Sequence, residues 1–146
     1  MRVLFTSILS LFLMISITHA QEVTSSGVIY FQDSTVSKLF QTGGRLLESS
    51  DYKIITSHRE GPGQSEIHMD ETDIFYVVNG SATFVTGGKV VGARTTGVGQ
   101  IRGTGIDGGD IHQLKKGDII VIPAGTSHWI RSVNGNVDYL VIKVLS

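Results

Sequence analysis

The sequence predicts an all-β domain, a small sandwich or barrel with one short helix near its N-terminus, and three observations carry that prediction. From Tyr52 onward apolar residues recur with a period of two in segments of strand length: DYKIITSHRE, SEIHM, DIFYVVNG, SATFVTGG, DIHQL, DIIVIPAG, SHWIRSV and VDYLVIKVL. They are rich in Val, Ile, Tyr and Phe, which suit a pleated, half-buried surface. Glycine or asparagine punctuates them, with Asn79-Gly80 and Asn134-Gly135 read as turns between strands. The third observation is size: 146 residues, 40% of them apolar and none of them cysteine, suit one domain whose core holds itself without disulfides.

The elements follow in order. Residues 1–20 are read as an export signal: Arg2 supplies a short positive region, an apolar run extends from about Val3 to Ile17, and Thr18-His19-Ala20 ends on a small residue. The run is shorter than the roughly 20 residues a spanning helix needs, and polar Gln21-Glu22 follows at once. The expectation is an exported, periplasmic or secreted chain that starts near Gln21 and keeps no stable membrane association. FQDSTVSKLFQTGG then reads as a short helix, with Asp33 or Ser34 as N-cap, Val36, Leu39 and Phe40 on one face, and Gly43-Gly44 as its stop. After it come the eight strand segments. One stretch breaks their rhythm: residues 87–109 hold half of the chain's 18 glycines. A segment of that length is either a functional, mobile loop that could close over a barrel mouth or an extended hairpin of short strands.

Charge and motif exclude several functions. A formal net charge of -1 with no block of like charges gives no footprint for nucleic acid. No G-x-G-x-x-G between a strand and a helix, no Walker-type lysine, no cysteine and no G-x-S-x-G elbow are present, so nucleotide binding and the common covalent hydrolases are unsupported. A small-molecule ligand or substrate is the expected partner.

The residues that carry chemistry lie in two places. In GQSEIHMDETDIFYVVNG, strand alternation puts Gln64, Glu66 and His68 on one face, and the chain returning after Asp70-Glu71-Thr72 brings Asp73 against His68. In KKGDIIVIPAGTSHWI, a stiff apolar strand stops at Pro123-Ala124-Gly125 and delivers His128 three residues later. A barrel could bring His128 opposite the first group. Two imidazoles with carboxylates favour a divalent transition metal, Mn, Fe, Zn, Ni or Cu, over Mg or Ca. Gln64 could reach a ligand at the cavity mouth, Arg102 an anionic group, and His112 the cavity as a base; His58 is expected to be structural or exposed. Trp129 should point away from His128 and pack.

These motifs resemble the cupins. Gly117, Pro123, Gly125 and His128 stand in register with the family pattern G-x5-P-x-G-x2-H-x3-N, Ser132 replacing its last residue. Glu66, His68, Asp73 and Gly80 keep the spacing of H-x-H-x4-E-x6-G, with Glu66 in place of the first histidine and Asp73 in place of the glutamate. The resemblance implies a double-stranded β-helix, or jelly-roll, barrel over about 52–145 within a single domain of residues 21–146. It also implies a metal held inside by Glu66, His68, Asp73 and His128, with the shorter Asp73 either a ligand or an orienting neighbour, and a homodimer. The function implied is a metal-dependent oxygenase, isomerase or lyase acting on a small polar organic molecule. The alternatives are a non-catalytic binding or sensing module and a storage-like barrel, since one fold hosts many activities. No residue is assigned a catalytic role from sequence.

Overall fold

The computed structural model describes residues 27–146; the expected export signal lies outside them. Among the described residues no helix is long and apolar enough to cross a membrane.

Helix α1 spans Asp33–Phe40. Its N-cap is Gln32 rather than Asp33 or Ser34, and Gln32 makes no side-chain capping bond. Asp33 sits in the first turn and accepts a hydrogen bond from Ser37 Oγ at 3.0 Å. Strand β1 (Gly44–Glu48) follows at once, where the sequence suggested only a helix stop. Leu39 packs directly over Gly44, and a Cβ there, 2.7 Å from Leu39 Cδ1, would require the leucine side chain to shift.

The remaining strands are β2 (Tyr52–Arg59), β3 (Ser65–His68), β4 (Glu71–Thr86), β5 (Lys89–Val91), β6 (Arg94–Gly97), β7 (Gln100–Gly103), β8 (Gly105–Asp107), β9 (Asp110–Lys115), β10 (Ile119–Ile122) and β11 (His128–Leu145). Two of them run through both layers of the molecule. The first half of β4 and the second half of β11 pair with each other, with β10 and β2 on either side and β1 beyond β2. The second half of β4 and the first half of β11 pair again, flanked by β9 on one side and by β3, β7 and β6 on the other.

This corrects the sequence reading at two turns. Asn79-Gly80 and Asn134-Gly135 do not separate strands; they bend β4 and β11, whose register slips between Val133 and Val137. Gly80 is obligatory at its bend. Its φ is +74°, and a Cβ would lie 1.9 Å from the Asn136 carbonyl oxygen. The bends fold each long strand over the core, where Phe75, Val77, Ala82, Phe84, Ile122, Ile130, Val137, Tyr139 and Val141 are buried together. The glycine-rich stretch 87–109 is the hairpin alternative: β5 pairs with β8, and β7 joins β6 to β3.

Candidate metal centre

The strand registers assemble the site. Arg102 on β7 is in register with Glu66 on β3, and Glu66 with His128 on β11. Two residue pairs along, on the same face, Gln100 stands opposite His68. Partners directly opposite in an antiparallel ladder share a face, so all five project to one side. The Pro123-Ala124-Gly125 turn docks on this group: Gly125 N donates to the His68 carbonyl oxygen at 2.7 Å. The turn therefore delivers His128 against His68 because its own backbone is tied to His68.

Hydrogen bonds orient both imidazoles, and one of them fixes the His128 tautomer. His128 Nδ1 lies 3.1 Å from the Thr126 carbonyl oxygen, which only accepts, so Nδ1 carries the proton and Nε2 a lone pair. That Nε2 is buried and has no hydrogen-bond partner among the described residues. Burial drives the His128 pKa down to about 4, with the Thr126 bond opposing it, so the ring is neutral near pH 7. His68 Nδ1 lies 2.6 Å from Gln100 Oε1, and its Nε2 faces Glu66 Oε2 at 3.1 Å.

The Nε2 atoms converge. His68 Nε2 is 3.1 Å from Glu66 Oε2 and 3.6 Å from Asp73 Oδ2, and His128 Nε2 is 3.7 Å from both carboxylate oxygens. Ligands bound at 2.0–2.2 Å in tetrahedral or octahedral arrangement are separated by about 2.8 to 3.6 Å. Lone pairs aimed at carboxylate oxygens repel unless a proton or cation lies between them. The donor set of Glu66, His68 and His128 therefore fits a divalent metal, and it could hold one.

A second acidic group shares His68: Glu71 and Asp73. Here the chain supplies the cation. Lys143 Nζ contacts Asp73 Oδ1 at 2.7 Å, Asp73 Oδ2 at 2.9 Å and Glu71 Oε2 at 2.9 Å, while Lys53 Nζ reaches Glu71 Oε1 at 2.8 Å. Burial alone would raise the Glu71 pKa, but the hydrogen bonds and charges of Lys53 and Lys143 bring it down to about 2.

Beside His128 is a cavity of about 20 Å³, lined by Arg59, Gln64, Glu66, His128 and Trp129 above a floor of Phe75, Phe84 and Tyr139. A single water needs about 10 to 15 Å³ by the same measure. The described conformation has room for little more.

A family model described as Cupin matches residues 53–145. The chain belongs to the cupin family. Solved structures of the same fold include a cupin superfamily protein of Desulfitobacterium hafniense (16% identity, covering 72% of this chain and 77% of that one, TM-score 0.53). A protein of Bacillus halodurans is 17% identical over 85% of this chain and 87% of that one, with a TM-score of 0.58. The DMSP lyase DddQ of Ruegeria pomeroyi is 17% identical, with a TM-score of 0.51; the match covers 70% of this chain but only 46% of that one. At such identities the likeness is one of fold. No curated protein matches the sequence.

In this cupin the residues singled out from sequence are distributed unevenly. Glu66, His68 and His128 meet; Asp73 reaches both imidazoles yet is gripped by Lys143 through both oxygens. Gln64 lines the cavity. Arg102 pairs with Glu66 Oε1. His112 stands across from Phe84 with its Nε2 2.8 Å from Thr86 Oγ1, outside both acidic groups. His58 pairs with Asp138 at 2.6 Å. Trp129 is half-buried and donates from Nε1 to the Gly63 carbonyl oxygen at 2.8 Å. Gln100, Glu71, Lys53, Lys143 and Arg59 were not foreseen. A lysine inside the apolar run LVIKVL was a legible signal; Gln100, within the glycine-rich stretch, offered none.

Proposed function

We propose that this is an exported cupin that holds a divalent transition metal with Glu66, His68 and His128 and acts on a small polar organic molecule. The observation that carries the reading is the buried, unpartnered Nε2 of His128, aimed at the same space as His68 Nε2 and Glu66 Oε2. A buried acceptor with no donor costs about 1 to 3 kcal/mol, and a bound cation removes that cost. Bound there, such a metal supplies a Lewis-acidic centre that polarises a substrate oxygen.

The protein's own part is positioning. Thr126 fixes the His128 tautomer, Gln100 orients His68, Arg102 turns Glu66, and Lys143 holds Asp73 beside the imidazoles without freeing its charge. Manganese, iron, zinc, nickel and copper all suit this donor set. The small size of the cavity favours a second reading, a non-catalytic module that binds or senses.

The test is elemental analysis of the purified mature protein beside its His128→Ala and Asp73→Asn variants. Near-stoichiometric transition metal in the wild type, lost in His128→Ala and largely kept in Asp73→Asn, is expected; a metal-free wild type, or full occupancy in His128→Ala, overturns the reading.

Export and a homodimer belong to the same proposal. The dimer is supported by an apolar patch on the outer sheet face: Ile119 (65% exposed), Val121, Tyr76, Val144 and Tyr52 project outward, with the His58–Asp138 pair further along the same face, while Lys53, Asp73 and Lys143 on the same strands turn inward. An exposed apolar patch of this kind can meet its own copy about a two-fold axis. Light scattering that returns a monomer at micromolar concentration, or a Val121→Glu variant with the wild-type mass, removes this part.

A further inference from the structure

The cavity beside His128 has a second chemical character, set by one guanidinium group in its wall and a second paired with Glu66. Arg102 is half-buried, at 28% side-chain exposure, and its one carboxylate partner among the described residues is Glu66. Arg59 lines the same cavity. Its Nε donates to the Tyr139 hydroxyl at 2.8 Å, and it forms no ion pair among the described residues. The guanidinium lies over Gly63, where a Cβ would come within 3.1 Å of Nη1, so the glycine leaves it space. Burial first, and then the charge of Arg59, lowers the Arg102 pKa from its ordinary value, which marks the two cations as neighbours.

Charge counting shows what the cavity lacks. The charged side chains lining the cavity are Arg59 and Glu66, with Arg102 behind Glu66 on its Oε1; Lys53, Lys143, Glu71 and Asp73 pair with one another on the other side of His68. A divalent metal on Glu66, His68 and His128 adds two further positive charges. A half-buried site with that excess needs an anion from outside, and a guanidinium with free N–H groups recognises planar oxyanions by paired hydrogen bonds.

We propose that Arg59, with Arg102 beside it, is the recognition arm of this cavity, and that the ligand it selects is a small carboxylate placed between the guanidinium groups and the imidazole pair. The inference rests on the metal reading for its charge count, but Arg59 and its free N–H groups stand without it. Gln64 and the Trp129 ring line the rest of the opening, an amide and an aromatic edge that suit the uncharged part of a small organic acid. Since the described cavity holds little more than a water, admission of the acid involves displacement of the exposed Gln64 side chain and of the half-buried Arg102.

The experiment is calorimetric titration of malonate, acetate and the uncharged malonamide into purified protein of measured metal content, repeated with Arg59→Gln and Arg59→Lys. Malonate is expected to bind more tightly than malonamide by at least about tenfold, and Arg59→Gln to lose about tenfold to a hundredfold of that affinity with metal content unchanged. Arg59→Lys, which keeps the charge and loses the fork, recovers part of it. Equal binding of malonate and malonamide, or full malonate affinity in a folded Arg59→Gln protein, overturns the proposal. If Arg59→Gln does not fold, the wild-type preference for malonate over malonamide decides alone. Malonate binding to a metal-free protein would leave the carboxylate arm standing and remove the metal reading; bound metal without malonate binding would do the reverse.

Discussion

Two acidic groups meet at His68, and they solve the same electrostatic problem in opposite ways. On one side Glu71 and Asp73 are buried with Lys53 and Lys143, so every charge has a partner from the chain itself. On the other, Glu66 faces two imidazole rings, and its partner Arg102 sits behind it on Oε1, leaving Oε2 and both Nε2 atoms turned to common space. Residue type does not distinguish the two groups. What does is whether a lysine arm from a neighbouring strand reaches in, and Lys143 reaches because β11 pairs it with Asp73.

The largest effect that would break this contrast is removal of the built-in cation. Lys143→Met leaves Asp73, 2% exposed, and one oxygen of Glu71 unpaired, and should cost about 3 to 5 kcal/mol of unfolding free energy in denaturant melts. A loss below about 1 kcal/mol would show that the lysine is not what neutralises the group.

Acid should act on the same side. The Glu71 pKa is lowered to about 2 in the folded state, below its ordinary 4.5, so its contribution to stability is complete above about pH 4.5 and is lost as pH falls towards 2. Melts from pH 6 to 2 should show this loss, and Glu71→Gln should flatten it. An unchanged slope in the variant would transfer the acid sensitivity elsewhere.

On the side open to an external cation, Gln100→Ala should leave folding nearly intact while weakening metal binding about tenfold to a hundredfold, because His68 loses the hydrogen-bond partner that orients it. Competition with a chelator measures it. Equal affinity in wild type and variant would mean that the strand alone orients His68.

The smallest effect separates both groups from the surface. His58 has its pKa raised chiefly by the hydrogen bond to Asp138, so this pair stabilises the fold fully below about pH 6.5 and loses its contribution as pH rises through the raised value. Asp138→Asn should abolish that change in melting temperature without altering metal content. A change in metal content would tie the surface pair to the centre.

The sequence by itself determined the strand character, the short helix and the face shared by Glu66 and His68, because these follow from periods of two and 3.6 that neighbouring residues impose on one another. It also marked His128, since a Pro-Ala-Gly turn has a conformation largely independent of its surroundings; Gly125 takes φ +77° in it. Only the tertiary structure decided that Asn79-Gly80 and Asn134-Gly135 bend strands rather than end them. The same residues serve a turn and a bend, and pairing along the rest of β4 and β11 selects between the two. The assignment of polar partners was likewise tertiary: Lys143 goes to Asp73, Arg102 to Glu66 and Gln100 to His68 through registers between strands separated by up to 70 residues in the chain. A charge's partner in a barrel is fixed by which strands lie side by side, and local sequence periodicity carries no information about that.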